Sequence, residues 1–265
     1  MNKSADQTID SPTHYTKGVS VIIPAYNAAD KIRQTLVRVE SILKRDGDYE
    51  IIVVDDGSTD ETRSVVKTYT ESHLKVKLAS YPQNVGKGYA LRKGTTEASK
   101  DTIIFLDSDS DIESGHIQSY VKALEHYDMV IASKRSPYSD YRAPIMRKIL
   151  SASFNVLVKL LVGIRYSDTQ AGLKAFRREA FEKIMRMGTV KRFAFDVELL
   201  ALASLLRLRV AEAPVKISIN VGFSRRAVMY MLVDLLGITY RLRVLRWYQN
   251  NLDKADAKYK PIIRI

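Results

Sequence analysis

The sequence predicts an α/β fold in which a mostly parallel β-sheet is covered by helices on both faces. Short apolar runs rich in β-branched residues occur at Val19–Ile23, Ile51–Val54, Ile103–Leu106 and Met129–Ala132. Runs that are apolar on both faces are typical of strands buried on both sides in a parallel sheet. Helical segments separate these runs, and the repeated strand–helix order indicates a doubly wound, Rossmann-like sheet.

Helices are predicted between the strands in the first half of the chain. Ala29–Lys44 has apolar residues at helical spacing, and Thr59–Ser72 starts with a candidate N-cap, Ser58 or Thr59. Val76–Ala79 is a weaker strand candidate. Two further segments are predicted to be helical, namely Val85–Ala98 and Ser114–His126.

The second half of the chain is predicted to be richer in helix. Ile145–Ile164 is a long apolar segment interrupted by basic residues, whereas Thr169–Phe176 is predicted as a loop that leads into a short strand. Phe193–Leu206 is predicted as a helix, Val210–Ile219 as extended chain, and Arg225–Tyr248 as one long helix. These assignments divide the chain into a polar tail (1–17), one α/β domain (18–222) and a C-terminal amphipathic extension (223–265).

The composition is that of a globular protein and excludes several classes. Hydrophobic residues make up 46% of the 265 residues and charged residues 27%, which excludes disorder for most of the chain. The absence of cysteine excludes a disulfide framework, a zinc–thiolate site and a cysteine nucleophile. The sequence contains no run of about 18 uncharged apolar residues, so no membrane-spanning helix is predicted. Residues 1–17 lack the apolar segment of a signal peptide, so we expect a cytoplasmic location.

The formal net charge of +12 at pH 7 favours an anionic partner. Nucleotides, nucleic acids and acidic membrane surfaces all satisfy this condition. Aromatic residues make up 9% of the chain, yet they are not interleaved with basic residues as a stacking surface for nucleic acid requires. A nucleic-acid-binding module is therefore the least favoured of these alternatives.

Carboxylates follow two of the predicted strands. Asp56 comes after the second strand, and Asp107, Asp109 and Asp111 alternate after the third. In doubly wound sheets ligands bind at the carboxyl ends of the strands, and alternate side chains of an extended chain point to one side. Clustered carboxylates suit Mg²⁺ or Mn²⁺, which often also bind substrate phosphates. The alternative is a solvated turn whose aspartates cap the following helix.

A glycine-rich segment at 84–88, NVGKG, opens a predicted helix. Glycines let backbone N–H groups approach an anion at a helix N-terminus, and Lys87 adds a full positive charge. The segment is not a Walker A loop, because the Gly-x-x-x-x-Gly-Lys-Ser/Thr order is absent. Asp56 can accept hydrogen bonds from a base or ribose, or it can cap the next helix.

Six sequence pieces together resemble the GT-A-fold, family 2 glycosyltransferases. The pieces are VSVIIPAYN, EIIVVDDGSTDET, NVGKGYALRKG, TIIFLDSDSD, SDTQAGLKAF and KRFAFDVELL. Within that family the chain is most similar to the dolichyl-phosphate sugar synthases, which transfer one sugar from a nucleotide donor to a polyprenyl phosphate. The DTQAG and FDVE pieces resemble the glucose-transferring branch more than the mannose-transferring branch. The resemblance implies a GT-A fold, with a catalytic domain over 18–222.

The resemblance implies a nucleotide-sugar site at the strand ends. Pro24 and Tyr26 would line the base pocket, and Val54 and Asp56 would hold the base and ribose. Asp107, Ser108 and Asp109 would surround the donor pyrophosphate and its Mg²⁺ or Mn²⁺, and Asp111 stands where the mannose branch often has a Gln metal ligand. Lys87 could add a charge-assisted contact to the phosphates. Among these, the metal ligands are predicted to be Asp107, Asp109 and Asp111.

The resemblance also implies catalytic and acceptor-side residues. Arg135 and Arg147 match basic positions that should face donor or acceptor phosphates. With Asp109 they form the predicted catalytic set. The candidate acceptor-side residues are Gln170, Asp196, Glu198 and Arg225.

Two departures from the family bear on the assignment. Ala28 stands where the family usually has Glu, with Asp30 nearby. The mannose branch has an Arg shortly before its Ser-Lys, and the matching stretch SINVGFSR lacks that Arg. The second departure weakens the mannosyl assignment, so UDP-glucose is the predicted donor and GDP-mannose the alternative.

The resemblance further implies one displacement that inverts the anomeric centre, with a polyprenyl (dolichyl) phosphate as acceptor. A phosphate acceptor is largely ionised at neutral pH, since its second pKa is about 6, so it needs positioning more than a general base. The enzymatic alternative is a sugar hydroxyl acceptor, which requires a carboxylate base such as Asp196 or Glu198.

Two segments are predicted to dock on the cytoplasmic face of a membrane and make the protein peripheral. In Ile145–Ile164 and Arg225–Tyr248 apolar residues accompany basic ones, as in interfacial helices. Trp247 and Tyr248 are residue types that favour membrane interfaces. The alternative is that the same apolar residues pack on the sheet or form a dimer contact.

Overall fold

The computed structural model describes residues 18–45, 47–108, 116–192, 194–218 and 225–257. The predicted polar tail, residues 1–17, lies outside them. The strands are β1 (Val19–Ala25), β2 (Tyr49–Asp56), β3 (Val76–Tyr81), β4 (Thr102–Leu106), β5 (Met129–Ser133), β6 (Asp140–Arg142), β7 (Leu173–Arg177), β8 (Val210–Pro214) and β9 (Lys216–Ser218). The helices are α1 (Ile32–Leu43), α2 (Thr62–Ser72), α3 (Lys87–Glu97), α4 (His116–Ala123), α5 (Ile145–Val162), α6 (Arg178–Met187), α7 (Phe195–Leu205), α8 (Arg225–Thr239) and α9 (Trp247–Ala257).

Seven strands form one sheet in the order β3-β2-β1-β4-β7-β5-β8, and β6 pairs with β9 separately. Neighbouring strands of the large sheet are parallel except for β7, which is antiparallel to both β4 and β5. The predicted mostly parallel sheet is thereby confirmed. Because β7 runs the other way, its first residue meets the carboxyl ends of β4 and β5 at a common edge, which we call the carboxyl edge.

Side chains of the sheet alternate between two apolar cores. Ile22, Ile52 and Phe105 point into the first core, which α3 and α5–α9 complete. Ile23 and Ile51 point into the second core, which α1, α2 and α4 complete. Full burial of each such side chain contributes about 1.5–3 kcal/mol to stability. The strands are therefore apolar on both faces because both faces are covered.

The prediction of one long helix over Arg225–Tyr248 is wrong. Helix α8 ends at Thr239, a π-helical turn follows, and Arg246 adopts a left-handed backbone conformation with φ of 48°. The chain turns there, and α9 packs against α6. Tyr248 is completely buried, so the predicted interfacial role of this ring is also wrong.

The predicted cap of α2 differs in its residue. The N-cap of α2 is Glu61, which makes no side-chain cap hydrogen bond, so the predicted cap at Ser58 or Thr59 is wrong. The backbone N–H of Thr62 donates instead to Oδ1 of Asp60 at 3.0 Å. The Oγ of Ser58 accepts the backbone N–H of Asn27 at 3.0 Å. This contact ties the end of β1 to the loop after β2 at the carboxyl edge.

Helices α5 and α8 expose apolar side chains on neighbouring surfaces. The two helices pack against each other. Their exposed large apolar residues, which we call the α5–α8 apolar face, are Ile145, Met146, Ile149, Leu150, Val156, Leu157, Leu160, Met229, Tyr230, Val233 and Leu236. Within the part of the chain that the structure describes, no helix has the length and hydropathy needed to cross a bilayer.

Glu50 is a buried carboxylate at the opposite, amino edge of the sheet. It accepts hydrogen bonds from Ser20 Oγ at 2.7 Å, from the N–H and hydroxyl of Ser99, and from Lys77 Nζ at 2.7 Å. Burial alone raises the pKa of Glu50, yet these donors lower it to about 2. Because the folded pKa lies below the ordinary value of 4.5, the charged form stabilises the fold above that pH. This contribution is lost as the pH falls towards 2.

Glu50→Gln is expected to lower the free energy of unfolding at pH 7 by on the order of 2–3 kcal/mol, because four donors lose their anionic acceptor. Urea unfolding measured between pH 7 and pH 2 tests this. The deficit should shrink as the pH falls from 4.5 towards 2, because Glu50 of the unfolded wild-type chain becomes protonated near pH 4.5, whereas folded Glu50 does so only near pH 2. Glu71→Gln, at an exposed position, is the matched control and should change stability by less than about 0.5 kcal/mol. An equal deficit at pH 7 and pH 2 contradicts this assignment.

Candidate active site

The carboxyl edge brings together residues that the sequence places after different strands. Asp56 ends β2, Asp107 follows β4, and Lys87 begins α3. Because β1, β2, β3 and β4 are parallel, these positions lie at one edge of the sheet. The Nζ of Lys87 lies 2.7 Å from Oδ1 of Asp107. Two of the predicted donor-site residues are therefore in direct contact.

Lys87 also contacts Asp196, which begins α7 with Phe195. The distance from Lys87 Nζ to Asp196 Oδ2 is 3.3 Å. Burial alone lowers the pKa of Lys87, but the carboxylates of Asp107 and Asp196 outweigh it and raise the pKa above the usual range of lysine. The Lys87 side chain therefore presents a permanent positive charge at the carboxyl edge.

The pairing of β4 with β7 fixes the position of Asp107. Leu106 lies opposite Leu173, so Asp107 continues opposite Gly172, whose carbonyl accepts the Asp107 N–H at 3.2 Å. A Cβ built on Gly172 overlaps Oδ2 of Asp107. Residue 172 must therefore lack a side chain for Asp107 to take this orientation, which gives the glycine of the DTQAG piece its physical reason.

A buried lysine lies beneath this contact. Lys174 is 2% exposed, and its Nζ donates to Asp196 Oδ1 at 2.8 Å and to the carbonyl of Ala171 at 2.6 Å. Burial alone raises the pKa of Asp196, while Lys174 and Lys87 lower it below the usual range. Asp196, a predicted acceptor-side residue, thus lies beneath Lys87, a predicted donor-side residue. Lys174 is a site residue that the sequence motifs do not reveal.

Asp56 orders the loop that leads into α3. Its carboxylate accepts the hydroxyl of Tyr81 at 2.8 Å, the side-chain amide of Asn84 at 3.2 Å, and the backbone N–H groups of Val85 and Gly86 at 2.8 and 3.0 Å. The capping alternative for the next helix, α2, is not what the structure shows. Asp56 instead holds the glycine-rich segment, and thereby the start of the helix that carries Lys87.

The other predicted donor-site residues differ in how exposed their side chains are. Tyr26 is 48% exposed, and Pro24 and Ser108 are half-buried. Val54 is completely buried and packs beneath α3, where a Cβ on Gly94 would lie 3.0 Å from its Cγ2. The side chain of Val54 therefore belongs to the first core, and only its backbone can meet a ligand at the carboxyl edge.

The predicted metal ligands are only partly described. Asp107 is placed at the carboxyl edge, whereas Asp109 and Asp111 lie outside the described residues. Over the described ranges, no group of three or more His, Asp or Glu side chains is placed to hold a metal ion. Asp107 itself fits a cation, because its carboxylate already receives the ammonium of Lys87 at 2.7 Å.

Of the predicted basic residues, Arg135 follows β5 and Arg147 lies in the first turn of α5. Arg135 is exposed, and Arg147 is half-buried and donates a hydrogen bond to Tyr141. The Nζ atoms of Lys134 and Lys148 lie 5.6 and 5.7 Å from the centroid of the same ring. We call Tyr141 with Arg147, Lys134 and Lys148 the Tyr141 cluster. It concentrates positive charge next to the exposed start of α5.

The Tyr141 cluster is tied to the loop before β7. Lys134 Nζ lies 3.2 Å from Oδ2 of Asp168, which also accepts the backbone N–H of Lys134 at 3.0 Å. Asp168 Oδ1 accepts the backbone N–H of Gln170 at 3.0 Å. Burial alone raises the pKa of Asp168, but Lys134 and these N–H groups lower it. The half-buried Gln170 thus lies in this loop, while the side chain of Arg225 is outside the described part.

Glu198, another predicted acceptor-side residue, joins three segments. It is 1% exposed and accepts the N–H groups of Thr189 and Val190 at 2.9 and 2.8 Å. It also accepts the hydroxyl of Tyr248 at 2.6 Å, and Nη2 of Arg92 lies 3.7 Å away. Protein donors thus surround this carboxylate, which links α7 to α9 and to the loop after α6.

A cavity of about 490 Å³ adjoins the loop that Asp56 orders. Three cationic side chains and one carboxylate contribute to its wall, which favours an anionic occupant. The lining residues are Asn84, Val85, Thr189, Val190, Lys191, Arg192, Asp234 and Arg241.

The fold and the carboxyl-edge site define a class that comparison with known proteins identifies. Residues 20–185 match the family model described as "Glycosyl transferase family 2". The chain therefore belongs to glycosyl transferase family 2 and is an enzyme of that class. The predicted family is confirmed.

Individual relatives are more specific. The chain is 31% identical to a dolichyl-phosphate beta-glucosyltransferase of Trichomonas vaginalis, over 94% of this chain and 78% of the relative. It is 33% identical to the dolichyl-phosphate beta-glucosyltransferase of Homo sapiens, over 78% of this chain and 68% of the relative. The glucose-branch resemblance is thereby confirmed.

A solved structure has the same fold. Glucosyl-3-phosphoglycerate synthase from Mycobacterium tuberculosis, in complex with Mn²⁺, uridine diphosphate and glucosyl-3-phosphoglycerate, superposes with a TM-score of 0.66. The sequences are 19% identical, and the match covers 84% of this chain and 79% of that chain. The GT-A fold predicted from the sequence is confirmed.

Gly172→Ala is expected to lower the rate of glycosyl transfer at least tenfold, because the new methyl group displaces the Asp107 carboxylate. Initial rates and the thermal unfolding midpoint of the variant measure the effect. Gly237→Ala is the matched control, since a Cβ there meets only Arg241 at an ordinary 3.7 Å. That variant should keep wild-type activity. Wild-type rates for Gly172→Ala contradict the proposed constraint on Asp107.

Proposed function

We propose that this protein transfers glucose from UDP-glucose to a polyprenyl (dolichyl) phosphate, with inversion, using bound Mg²⁺ or Mn²⁺ at a membrane surface. The observation that carries the proposal is the Lys87–Asp107 contact at the carboxyl edge. It lies in a chain that matches a dolichyl-phosphate beta-glucosyltransferase over 94% of its length. The side-chain charges support separate roles for the donor side and the acceptor side.

On the donor side, the chain supplies a cation and a carboxylate for a nucleoside diphosphate. Lys87 provides a charge-assisted contact to the phosphates, and Tyr26 lines the base pocket. Asp107, with the predicted ligands Asp109 and Asp111, would hold the Mg²⁺ or Mn²⁺. When bound, this ion supplies Lewis-acid neutralisation of the charge that builds on the leaving diphosphate. The Mn²⁺ and uridine diphosphate in the M. tuberculosis neighbour support a divalent ion in this fold.

On the acceptor side, the Tyr141 cluster binds the phosphate of the lipid. Arg147, Lys134 and Lys148 gather around one ring, and the exposed Arg135 lies next to Lys134 in the chain. An acceptor phosphate is already ionised at neutral pH, so the cluster needs to position it rather than deprotonate it. One in-line displacement on an α-linked donor then gives a β-linked product.

The buried carboxylates of this region favour a phosphate acceptor over a sugar hydroxyl. Lysines lower the pKa of Asp196 and of Asp168, which makes both carboxylates weak bases. Glu198 is surrounded by the donors of Thr189, Val190 and Tyr248. A hydroxyl acceptor requires a carboxylate that is open to the substrate, and these three are engaged by the protein.

A panel of donors and acceptors tests the proposal. The protein, with Mn²⁺ or Mg²⁺, is incubated with UDP-glucose, GDP-mannose and other UDP- and GDP-sugars, together with a polyprenyl phosphate. We expect a β-linked glucosyl lipid phosphate from UDP-glucose, and loss of product in excess EDTA. The matched control is the unphosphorylated polyprenol, which should accept no sugar. Preference for GDP-mannose, an α-linked product, transfer to the polyprenol, or full activity in EDTA contradicts the corresponding part of the proposal.

The α5–α8 apolar face supports docking on a membrane. A large exposed apolar patch is typical of an interaction surface, and Met146, Ile149, Val233 and Leu236 are each more than half exposed. Basic residues flank it, including Lys148 of the Tyr141 cluster, and each adds about 1 kcal/mol of attraction near anionic lipid. A lipid-linked phosphate lies at headgroup level, so a face next to the Tyr141 cluster delivers it to the site. The cytoplasmic side of the membrane stays a prediction.

Flotation with anionic vesicles tests the docking. Wild-type protein should float with the vesicles, and less so at high salt. Val233→Glu with Leu236→Glu should abolish flotation, because two charges enter the apolar face. Leu74→Glu is the matched control, at a 93% exposed leucine between α2 and β3, and should float like the wild type. Absence of wild-type flotation, or equal flotation of all variants, contradicts membrane docking through this face.

A further inference from the structure

Four charged side chains of alternating sign form a row from the core to the carboxyl edge. Lys174 contacts Asp196 at 2.8 Å, Asp196 contacts Lys87 at 3.3 Å, and Lys87 contacts Asp107 at 2.7 Å. The exposure of the side chains rises along the row, from 2% and 7% to 17% and 33%. The row therefore begins in the first core and ends at the proposed donor site.

Lys174 determines how Asp196 acts on Lys87. A buried ammonium needs an anionic partner, and Lys174 finds it in Oδ1 of Asp196. Oδ2 of the same carboxylate faces Lys87 at the longer distance of 3.3 Å. Since Lys174 already neutralises Asp196, that carboxylate orients Lys87 as a hydrogen-bond acceptor without cancelling its charge. The group formed by Lys174, Asp196 and Lys87 carries one net positive charge.

This net charge matters once Asp107 serves a metal ion. Lys87 then loses one carboxylate partner and keeps the other, so its ammonium stays anchored at the carboxyl edge. Without Lys174, Asp196 would be the counter-ion of Lys87, and the buried group would be neutral. A neutral group attracts a diphosphate far less than a cationic one in a low-dielectric site.

We propose that Asp196 and Lys174 are positioning residues of the donor site. Asp196 holds the Lys87 ammonium in place, and Lys174 keeps that ammonium available to the nucleoside diphosphate. The inference rests on the proposed function for the chemistry of the donor, and on the geometry for the roles of the two residues. It assigns Asp196 to the donor side and gives the buried Lys174 a function.

A merely structural role and a role through net charge lead to different effects of substitutions on uridine diphosphate binding. If the row only stabilised the fold, removal of either residue would weaken uridine diphosphate binding and stability together. If net charge matters, Lys174→Met makes the group of Asp196 and Lys87 neutral and weakens the binding of uridine diphosphate. Asp196→Asn leaves two positive charges, so binding is retained while the loosened Lys87 slows transfer. The double variant carries the wild-type net charge and regains affinity.

Calorimetric titration of uridine diphosphate in the presence of Mn²⁺ tests this, with melting temperatures recorded for every variant. We expect Lys174→Met to weaken binding about tenfold to a hundredfold, the range of one charged contact. Lys174→Met combined with Asp196→Asn should recover most of this loss, and Asp196→Asn alone should lower the transfer rate at least tenfold without weaker binding. Lys77→Met is the matched control, a lysine paired with Glu50 at the amino edge. It should bind like the wild type.

The outcomes separate this inference from the proposed function. If wild-type protein with Mn²⁺ binds no uridine diphosphate, the donor assignment fails and the inference falls with it. If wild-type protein binds but Lys174→Met binds equally well, only the positioning roles are overturned. Equal weakening in Lys174→Met and in the double variant also overturns them, because net charge then has no effect. Should Lys174→Met not fold, weak binding by the folded double variant overturns the inference, and near-wild-type affinity supports it.

Discussion

Burial of charge beneath the carboxyl edge is the constraint that relates the separate elements of this fold. Removing an ammonium or a carboxylate from water costs several kcal/mol unless an opposite charge is at hand. Lys174, Asp196 and Lys87 meet this requirement only because β7, α7 and α3 converge on one point. The antiparallel direction of β7 is essential, since it places Lys174 opposite Phe105 and Gly172 next to Asp107.

The two faces of the sheet carry different parts of the proposed site. Helices α1, α2 and α4 cover the second core and add support. The first core is covered by α3, which begins with Lys87, by α7, which carries Asp196 and Glu198, and by the helices of the apolar face. Lys87 and Asp196 of the proposed donor site and the proposed membrane face thus belong to one layer, whereas Tyr141 of the proposed acceptor cluster packs against the second core.

Local sequence patterns predicted much of this fold. Apolar runs gave β1, β2, β4 and β5, because buried strands have few alternatives, and glycine-rich or acidic strand ends located Lys87, Asp56 and Asp107. Helix α6 and strand β6 were not predicted. The sequence does not predict the break before α9, because the left-handed conformation of Arg246 is imposed by tertiary packing and arginine is not a residue type that signals a turn. Neighbouring Tyr248 is a residue type found both in cores and at interfaces.

The site was predicted less completely, for a reason of the same kind. Lys174 lies between Leu173 and Ala175 in an apolar strand. It is two residues from Phe176, so both side chains point to the same face, and a lysine on a core face is expected to be paired. The partner is 22 residues away in the chain, so no motif joins them. Val54 is the opposite case. The family resemblance predicts a contact with the donor, whereas the Val54 side chain packs beneath Gly94 in the first core. Asp109 and Asp111 remain predictions of the sequence.

The buried Tyr248 has a consequence for biosynthesis. Its hydroxyl completes the set of donors on Glu198, a residue made 50 positions earlier. During translation, Glu198 and the first core exist before α9 has been synthesised, and the segment that covers them is still missing. The strands at the N-terminal end can pair early, whereas the first core closes only when the chain beyond Arg246 has emerged from the ribosome. Nascent chains therefore expose an unfinished apolar surface until late in their synthesis, the stage at which a chaperone or a membrane would protect them.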